Sequence, residues 1–189
     1  MRIITGALRG RAIPFNPKRS GHVRVTSDRL KEAVFDILGS SLEGQAFLDL
    51  CAGSGQMALE AHSRGARVTA TEPDGRRHGL LKRLVREWEL PDFELYALKA
   101  QVLMPQLASA GRRFEVAYVD PPYDATWADL PLSRALLQVA GDSDLLEPGG
   151  RLFVQHSRRL DLPEGSGSLA LTRRRTYGDT DLSEYAPAG

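Results

Sequence analysis

The stretch Phe114-Glu115-Val116-Ala117-Tyr118-Val119-Asp120-Pro121-Pro122-Tyr123 decides how this chain folds. Residues 114–119 are β-formers or small side chains with one polar interruption, the composition of a buried strand. Two consecutive prolines then forbid any continuation, because neither donates to a ladder and both fix φ. Asp120 is left at the carboxyl end of a central strand, with Tyr123 just beyond on a rigid turn. In open α/β sheets, ligands sit beyond that edge. The Asp120 carboxylate and the Pro121 carbonyl, its direction locked by Pro122, are two acceptors at fixed spacing. They suit the two hydrogens of an exocyclic amine on a nucleobase, whose nitrogen lone pair then points outward toward an electrophile. Tyr123 offers a flat face on which the base stacks. The plainer alternative is a strand stopped by Pro-Pro, with the aspartate as a cap.

Upstream, residues 46–50 read as a second buried strand, followed by Cys51-Ala52-Gly53-Ser54-Gly55 and an amphipathic helix over 56–63. Strand, glycine turn and helix N-terminus together make a ligand cradle, since Gly53 and Gly55 let the backbone turn sharply and admit a close approach. Asp49 is an odd residue in a core run; burial is costly unless it meets a specific donor such as a ligand ammonium. The next strand, 67–71, ends in Glu72-Pro73, which puts an acid at a strand tip about 20 residues past the glycine turn, where ribose hydroxyls are bound. A dinucleotide fingerprint is partly matched, with Ala58 at its third glycine position. Asp49 would repel a pyrophosphate, however, and favours a zwitterionic or cationic ligand such as S-adenosylmethionine.

The remaining chain continues the alternation. A helix is expected over 74–88 and a strand over 93–97. A short helix follows over 102–108, with Pro105 tolerable only near its first turn. Another helix spans 130–139, and a strand covers 151–155 after Gly149-Gly150. Residues 169–172 and 181–185 close the chain as a hairpin, and 163–168 read as a flexible turn. Before the core, residues 2–5 and 11–15 suggest a hairpin and 16–23 a basic loop. A helix then starts at Thr26-Ser27-Asp28, carries Leu30, Val34, Phe35, Ile37 and Leu38 on its apolar stripe, and ends at Gly39. The expected fold is α/β: a Rossmann-like doubly wound sheet, mostly parallel, with an antiparallel C-terminal hairpin and a small N-terminal β-hairpin/helix appendage. The division is a basic appendage over 1–40 and a main domain over 41–189.

At 189 residues, with 42% hydrophobic and 26% charged, the chain has the composition of a soluble globular protein. No apolar run approaches the roughly 20 residues needed to span a bilayer, and residues 1–6 form no signal-peptide core. A single cysteine, Cys51, fits a reducing, cytoplasmic setting. The formal net charge is +1, but the ends are basic: Arg2, Arg9, Arg11, Lys18, Arg19, Arg24, Arg29 and Lys31 in the leader, and Arg158, Arg159, Arg173, Arg174 and Arg175 near the C-terminus. Arginine forks suit phosphate; a solvated surface is the alternative. No Cys, Asp or second His stands at ligand spacing from His22 or His156, so no metal site is expected and both are read as surface or packing residues. Cys51 reads as a buried filler, Trp88 as a core aromatic, and Trp127 as a loop aromatic near enough in sequence to Tyr123 to line a base pocket.

Taken together, Leu48-Asp49-Leu50-Cys51-Ala52-Gly53-Ser54-Gly55, Glu72 and Asp120-Pro121-Pro122-Tyr123 resemble the class I S-adenosylmethionine-dependent methyltransferases acting on exocyclic amines. More narrowly, the whole chain resembles the bacterial RsmD family, guanine-N2 methyltransferases of small-subunit ribosomal RNA. That match rests on Arg24 with Thr26-Ser27-Asp28-Arg29, on Leu59-Glu60-Ala61 with Ser63-Arg64-Gly65-Ala66, and on Tyr177-Gly178-Asp179-Thr180 with Leu182-Ser183 and Tyr185.

The resemblance implies that residues 52–55 hold the methionine part of the cofactor and that Glu72, with Pro73 beside it, binds the ribose. It implies that Asp120, Pro121, Pro122 and Tyr123 hold the target guanine amine, and that Arg9, Arg11, Arg24, Thr26 and Arg29 grip RNA. The partner would be small-subunit ribosomal RNA or the assembling 30S subunit, met by a monomer. The sequence departs from the family where Gln101 replaces a usual aspartate at the adenine amine, Val25 a proline, Cys51 an aromatic and Gln155 an acid. The amide oxygen of Gln101 can still accept from adenine. Two other readings remain open: a DNA adenine-N6 methyltransferase, for which the chain has no evident target-recognition domain, and a non-catalytic RNA-binding or ribosome-assembly module on the same fold.

Overall fold

Strand and helix alternate along the chain much as the apolar runs demand. The computed structural model describes residues 1–16 and 28–189. These fall into two units, Met1–Leu98 and Lys99–Gly189. The predicted N-cap at Thr26-Ser27 and the basic loop up to residue 23 lie, from residue 17 on, outside the described residues.

The first unit contains α1 (Asp28–Leu38), β1 (Ala46–Asp49), α2 (Gln56–Ser63), β2 (Arg67–Thr71), α3 (Gly75–Glu87) and β3 (Phe93–Tyr96). Its strands are all parallel: β1 pairs with β2 from Ala46↔Arg67 to Asp49↔Ala70, and β2 with β3 from Val68↔Phe93 to Thr71↔Tyr96. Helix α2 packs on β1 and β2, and α3 on β3. The leader is shorter in β-structure than its sequence suggests. One antiparallel bridge, Arg2↔Ala12, replaces a full hairpin, because the N–H groups of Ile4, Thr5, Ala7 and Leu8 bond to α2 instead. Helix α1 buries Leu30, Val34, Phe35 and Leu38 as its stripe predicts, with Ile37 only half-buried; it also buries Lys31, a charged residue that shares the face of Val34, Phe35 and Leu38.

The second unit contains α4 (Ala100–Ser109), β4 (Phe114–Val119), β5 (Thr126–Trp127), β6 (Leu130–Pro131), α5 (Leu132–Ser143), β7 (Leu146–Ser157), β8 (Gly165–Ser166), β9 (Leu169–Tyr177) and β10 (Thr180–Pro187). Strand β4 runs parallel to β7, with Val119 opposite Val154, and β7, β10, β9 and β8 then follow as antiparallel neighbours. The segment 163–168, read as a flexible turn, thus contributes an edge strand. Residues 130–131, expected in a helix, instead pair with β5 across a two-residue turn in which Ala128 (φ 50°) and Asp129 (φ 61°) are both left-handed. The turn lacks the Asn-Gly or Asp-Gly pair that normally announces it.

Helix α4 is longer than expected and holds Pro105 in its second turn, beyond the first-turn position where proline is tolerated most easily. Burial of Leu103, Met104 and Leu107 keeps the helix going, while the proline withholds the N–H that the Gln101 carbonyl would otherwise receive. Strand β7 begins five residues early because Leu146 already pairs with Phe114, and a register irregularity between Phe114 and Val116 accommodates Gly149-Gly150.

Candidate functional site

Strand β4 is buried almost throughout and stops at Val119. Asp120 is half-buried, Pro121 buried, Pro122 exposed and Tyr123 half-buried. The Pro122 carbonyl accepts from Ala125 N–H at 3.1 Å, which closes the corner into a tight turn. Tyr123 is held at its far end. Its hydroxyl donates to Thr180 Oγ1 at 3.0 Å and receives Gln155 Nε2 at 3.3 Å. Gln155 Oε1 accepts from the Tyr118 hydroxyl at 2.7 Å, and Thr180 Oγ1 donates to Asp179 Oδ1 at 3.3 Å. Every bond points the same way, from Tyr118 through Gln155, Tyr123 and Thr180 to Asp179. Gln155 is 1% exposed. An amide suits this position because it accepts at one end and donates at the other, which an ionised carboxylate does not. The departure Gln155 and the tail motif Asp179-Thr180 therefore have one explanation: both set the tyrosine beside the proline corner.

In the first unit, Asp49 at the end of β1 is 1% exposed, and its Oδ1 accepts from Cys51 N–H at 3.2 Å. Cys51 is half-exposed rather than the buried filler expected. Ala52 donates to the Thr71 carbonyl at 3.0 Å and accepts from Gly55 N–H at 2.6 Å, folding the turn back on β2. Gly55 is the N-cap of α2 with φ 82° and supplies no side-chain cap. A Cβ there would overlap Leu81 Cδ2. Ser54 is buried beside it.

Glu72, 3% exposed at the tip of β2, clamps this turn: Oε2 accepts from Gly53 N–H at 2.9 Å, and Oε1 from Asp74 N–H at 2.8 Å and Arg77 Nη2 at 3.0 Å. A carboxylate offers about four lone-pair positions, so Glu72 retains capacity on Oε2 for one hydroxyl rather than the two expected of it. Pro73 is exposed. Asp74 caps α3, and the Arg77 backbone N–H first, then the charges of Arg77 and the Arg76 N–H, hold its carboxyl below the usual range despite partial desolvation. Gln101 is half-buried in the first turn of α4, in the second unit.

Of the residues expected to grip RNA, Arg9, Arg11 and Arg29 are exposed; Arg24 and Thr26 lie outside the described residues. The Arg11 guanidinium sits over the Trp88 ring, 5.3 Å from its centroid, which leaves Trp88 half-buried rather than in the core. Trp127 is 42% exposed on β5.

Sequence reasoning missed what anchors the leader. Glu60, 0% exposed on α2, accepts from Ile4 N–H at 2.8 Å, Thr5 N–H at 3.0 Å and Arg64 Nε and Nη2 at 3.1 Å, with Lys31 Nζ at 3.8 Å. Lys31 Nζ donates to the Arg2 carbonyl at 2.8 Å. Ser63 Oγ accepts from Leu8 N–H at 2.9 Å and donates to the Thr5 carbonyl at 2.5 Å. Gly6 lies so close to Ser63 that a Cβ would collide with its carbonyl. The signal was present: an acid between Leu59 and Ala61 on a helix whose other buried side chains, Gln56 apart, are small or apolar.

The basic C-terminal cluster also resolves. Arg175 Nη1 meets Glu184 at 2.9 Å, and Arg174 bonds Asp161 at 3.0 Å and the Leu162 carbonyl at 2.8 Å. These two arginines are committed to folding contacts. Among the described residues no cluster of His, Cys, Asp and Glu suits a metal ion, and no helix is long and apolar enough to cross a membrane.

The family described as "Conserved hypothetical protein 95" matches residues 1–186. The "Ribosomal RNA small subunit methyltransferase D" of Escherichia coli (strain K12) is 30% identical over 190 residues, spanning 98% of this chain and 89% of the relative. A solved hypothetical protein of Thermus thermophilus superposes with a TM-score of 0.80 at 33% identity, covering 97% of this chain and 98% of its own. The SAM-dependent methyltransferase of Agrobacterium tumefaciens, at 14% identity, superposes with a TM-score of 0.63 over 85% of this chain and 61% of its own, a likeness of fold alone. The fold is the Rossmann-like α/β architecture of such enzymes, and with a match along nearly its whole length the chain belongs to the Conserved hypothetical protein 95 family, the RsmD family.

Proposed function

We propose that this protein transfers a methyl group from S-adenosylmethionine to the exocyclic N2 amine of a guanine in small-subunit ribosomal RNA. The observation that carries the reading is the corner at residues 120–123, where a strand-end carboxylate precedes two prolines and a tyrosine fixed by its own hydroxyl. Family membership and the relative named as a small-subunit methyltransferase support it.

The residues present fit the donor. Two buried carboxylates, Asp49 and Glu72, flank the glycine turn, a set suited to an amino-acid ammonium and a ribose hydroxyl and hostile to pyrophosphate. When bound, S-adenosylmethionine supplies an electrophilic methyl on a sulfonium. Asp49, Ala52, Gly53, Ser54 and Gly55 hold its methionine part, Glu72 and Pro73 its ribose, and Gln101 its adenine. Asp120 and the Pro121 carbonyl accept the two amine hydrogens, turn the nitrogen lone pair outward, and give the departing proton a carboxylate to reach. Tyr123 stacks on the guanine. The rate comes from orientation and fixed dipoles rather than from a titrating base. Arg9, Arg11, Arg24, Thr26 and Arg29, all within residues 1–40, hold the RNA.

The test is to incubate the full chain with methyl-labelled S-adenosylmethionine and undermethylated small ribosomal subunits, then digest the RNA to nucleosides. Label on N2-methylguanosine, lost in Asp120→Ala, supports the reading. Label confined to adenine overturns it, as does rRNA binding by wild type and variant alike with no transfer by either.

A further inference from the structure

The basic C-terminal cluster divides into arginines that are used and arginines that are not. Arg174 and Arg175 are held by Asp161 and Glu184, and Arg151 Nη1 lies 3.7 Å from Glu184. Arg158 and Arg159 differ: both are exposed, and among the described residues neither forms an ion pair. They occupy the tight turn that ends β7, closed by Leu160 N–H on the Ser157 carbonyl at 2.9 Å and by Arg159 N–H on Ser157 Oγ at 3.2 Å.

The position of that turn is fixed relative to the proline corner through contacts within the second unit. Strands β4 and β7 are parallel, so residues past Val154 emerge at the same sheet edge as residues past Val119. Ser157 stands opposite Thr180, whose hydroxyl receives the Tyr123 hydroxyl at 3.0 Å. The next residue, Arg158, donates its N–H to the Asp179 carbonyl at 2.9 Å. The Asp179 carboxylate accepts from Thr180 Oγ1 at 3.3 Å. Two adjacent guanidinium forks on a backbone-pinned turn, next to the residue that fixes Tyr123, match the phosphodiesters on either side of a base stacked there.

We propose that Arg158 and Arg159 form a phosphate-binding turn that grips the RNA backbone beside the target nucleotide, distinct from the contacts expected of the N-terminal leader. This rests on the reading of residues 120–123 as the amine-binding corner. Each phosphate neutralised on a single strand steepens the dependence of log affinity on log salt by about 0.7.

The experiment compares the full-length wild type with Arg158→Ala/Arg159→Ala, with Arg158→Lys/Arg159→Lys and with Arg173→Ala, an exposed arginine on β9 remote from the turn. The probes are undermethylated small subunits and naked small-subunit rRNA, with S-adenosylhomocysteine binding as a check on the cofactor half. On whichever RNA probe the wild type methylates, the double alanine variant is expected to lose about tenfold in kcat/KM, with a salt slope shallower by about 1.4. Its S-adenosylhomocysteine affinity should be unchanged. The double lysine variant keeps the slope and loses less, and Arg173→Ala matches wild type. If the wild type methylates RNA and the double alanine variant equals it in rate and slope, the turn is not a phosphate site, although the function stands. If the wild type methylates neither probe, both proposals fall.

Discussion

The Tyr123 hydroxyl donates to Thr180 Oγ1 at 3.0 Å, joining the corner at the end of β4 to the first residue of β10. The bond spans 57 residues of sequence and belongs to a relay with a single direction. Tyr123→Phe keeps the stacking face but strips Gln155 Nε2 and Thr180 of this partner. A part-buried hydrogen bond of this kind contributes about 1 kcal/mol, so stability falls by roughly that amount. If the hydroxyl serves orientation alone, methyl transfer falls about three- to tenfold, whereas Tyr123→Ala, which removes the face itself, should cost about a hundredfold. Equal losses in the two variants, measured as kcat/KM on undermethylated subunits, would show that the ring does not stack.

The same relay makes Gln155→Glu informative. An ionised carboxylate at this position accepts from both the Tyr118 and Tyr123 hydroxyls, and Tyr123 then has no proton left for Thr180. The variant should fold, yet keep a bond between the corner and β10 only where Thr180 gives up Asp179 and donates to Tyr123 instead. Hydrogen exchange at the Arg158 and Thr180 amides, both on that side of the corner, is expected to quicken relative to wild type.

Much of the first unit is legible in its sequence because β1 and β2 are parallel and buried, so they read as short runs of apolar and β-branched residues with acids at their tips, whereas β3 has no fully buried residue. The bounds of α2 and β2 follow directly from residues 56–63 and 67–71. Helix α3 begins and ends one residue inside the predicted span, with Asp74 as its cap and Trp88 at its end. What could not be read depends on partners distant in sequence. Lys31 lies on the apolar face of α1, but its charge argues against burial until Glu60 and the Arg2 carbonyl are placed against it. Glu72 looks like a ligand residue and is also the clamp for Gly53. The β5–β6 turn is invisible because Ala128 takes a left-handed conformation it does not advertise, and Asp129, which tolerates one, is not followed by glycine.

Glu60 provides a test of the leader's docking. Glu60→Gln leaves Lys31, itself 0% exposed, with only the exposed Asp28, 3.9 Å away, as countercharge, and turns an amide NH₂ toward the N–H groups of Ile4 and Thr5 or the Arg64 guanidinium. Breaking a buried charge network from one side costs about 3–5 kcal/mol. Urea denaturation should show that loss, and protease should cut the first dozen or so residues faster than in wild type. A variant within about 1 kcal/mol of wild type would mean the carboxylate is not what seats the leader.

Two glycines with nearly the same backbone angle separate strain from crowding. Gly149 has φ 80° and open space where a Cβ would stand, while Gly55 has φ 82° and Leu81 in that place. Gly149→Ala should cost about 1–2 kcal/mol, the penalty of a left-handed alanine. Gly55→Ala should cost about 1–3 kcal/mol more, because Leu81 must move out of a packed position. S-adenosylhomocysteine binding, read by calorimetry, should weaken in Gly55→Ala alone, since that glycine shapes the turn proposed to hold the cofactor.

His156 carries a pH signature. The ring is 0% exposed; its Nδ1–H donates to the Ser157 carbonyl at 3.0 Å, and Nε2 receives the Ser183 hydroxyl at 2.9 Å. Arg174 Nε donates to that same Ser183 oxygen at 3.3 Å, so the hydroxyl proton is directed toward the imidazole. Burial first, then the Arg174 charge, push the His156 pKa below its ordinary 6.5, opposed by the Ser157 carbonyl and Asp181. The folded state therefore binds a proton less readily than the unfolded chain. Its contribution to stability is complete above about pH 6.5 and is lost as pH falls from there toward the lower folded value. Denaturation curves at pH 7.5 and 5.5 should show wild type losing more stability than His156→Gln over the same interval, the difference isolating this ring from the carboxylates that titrate in both proteins. Equal losses would mean that His156 protonates freely in the folded state, and that the Ser183 contact turns over without cost.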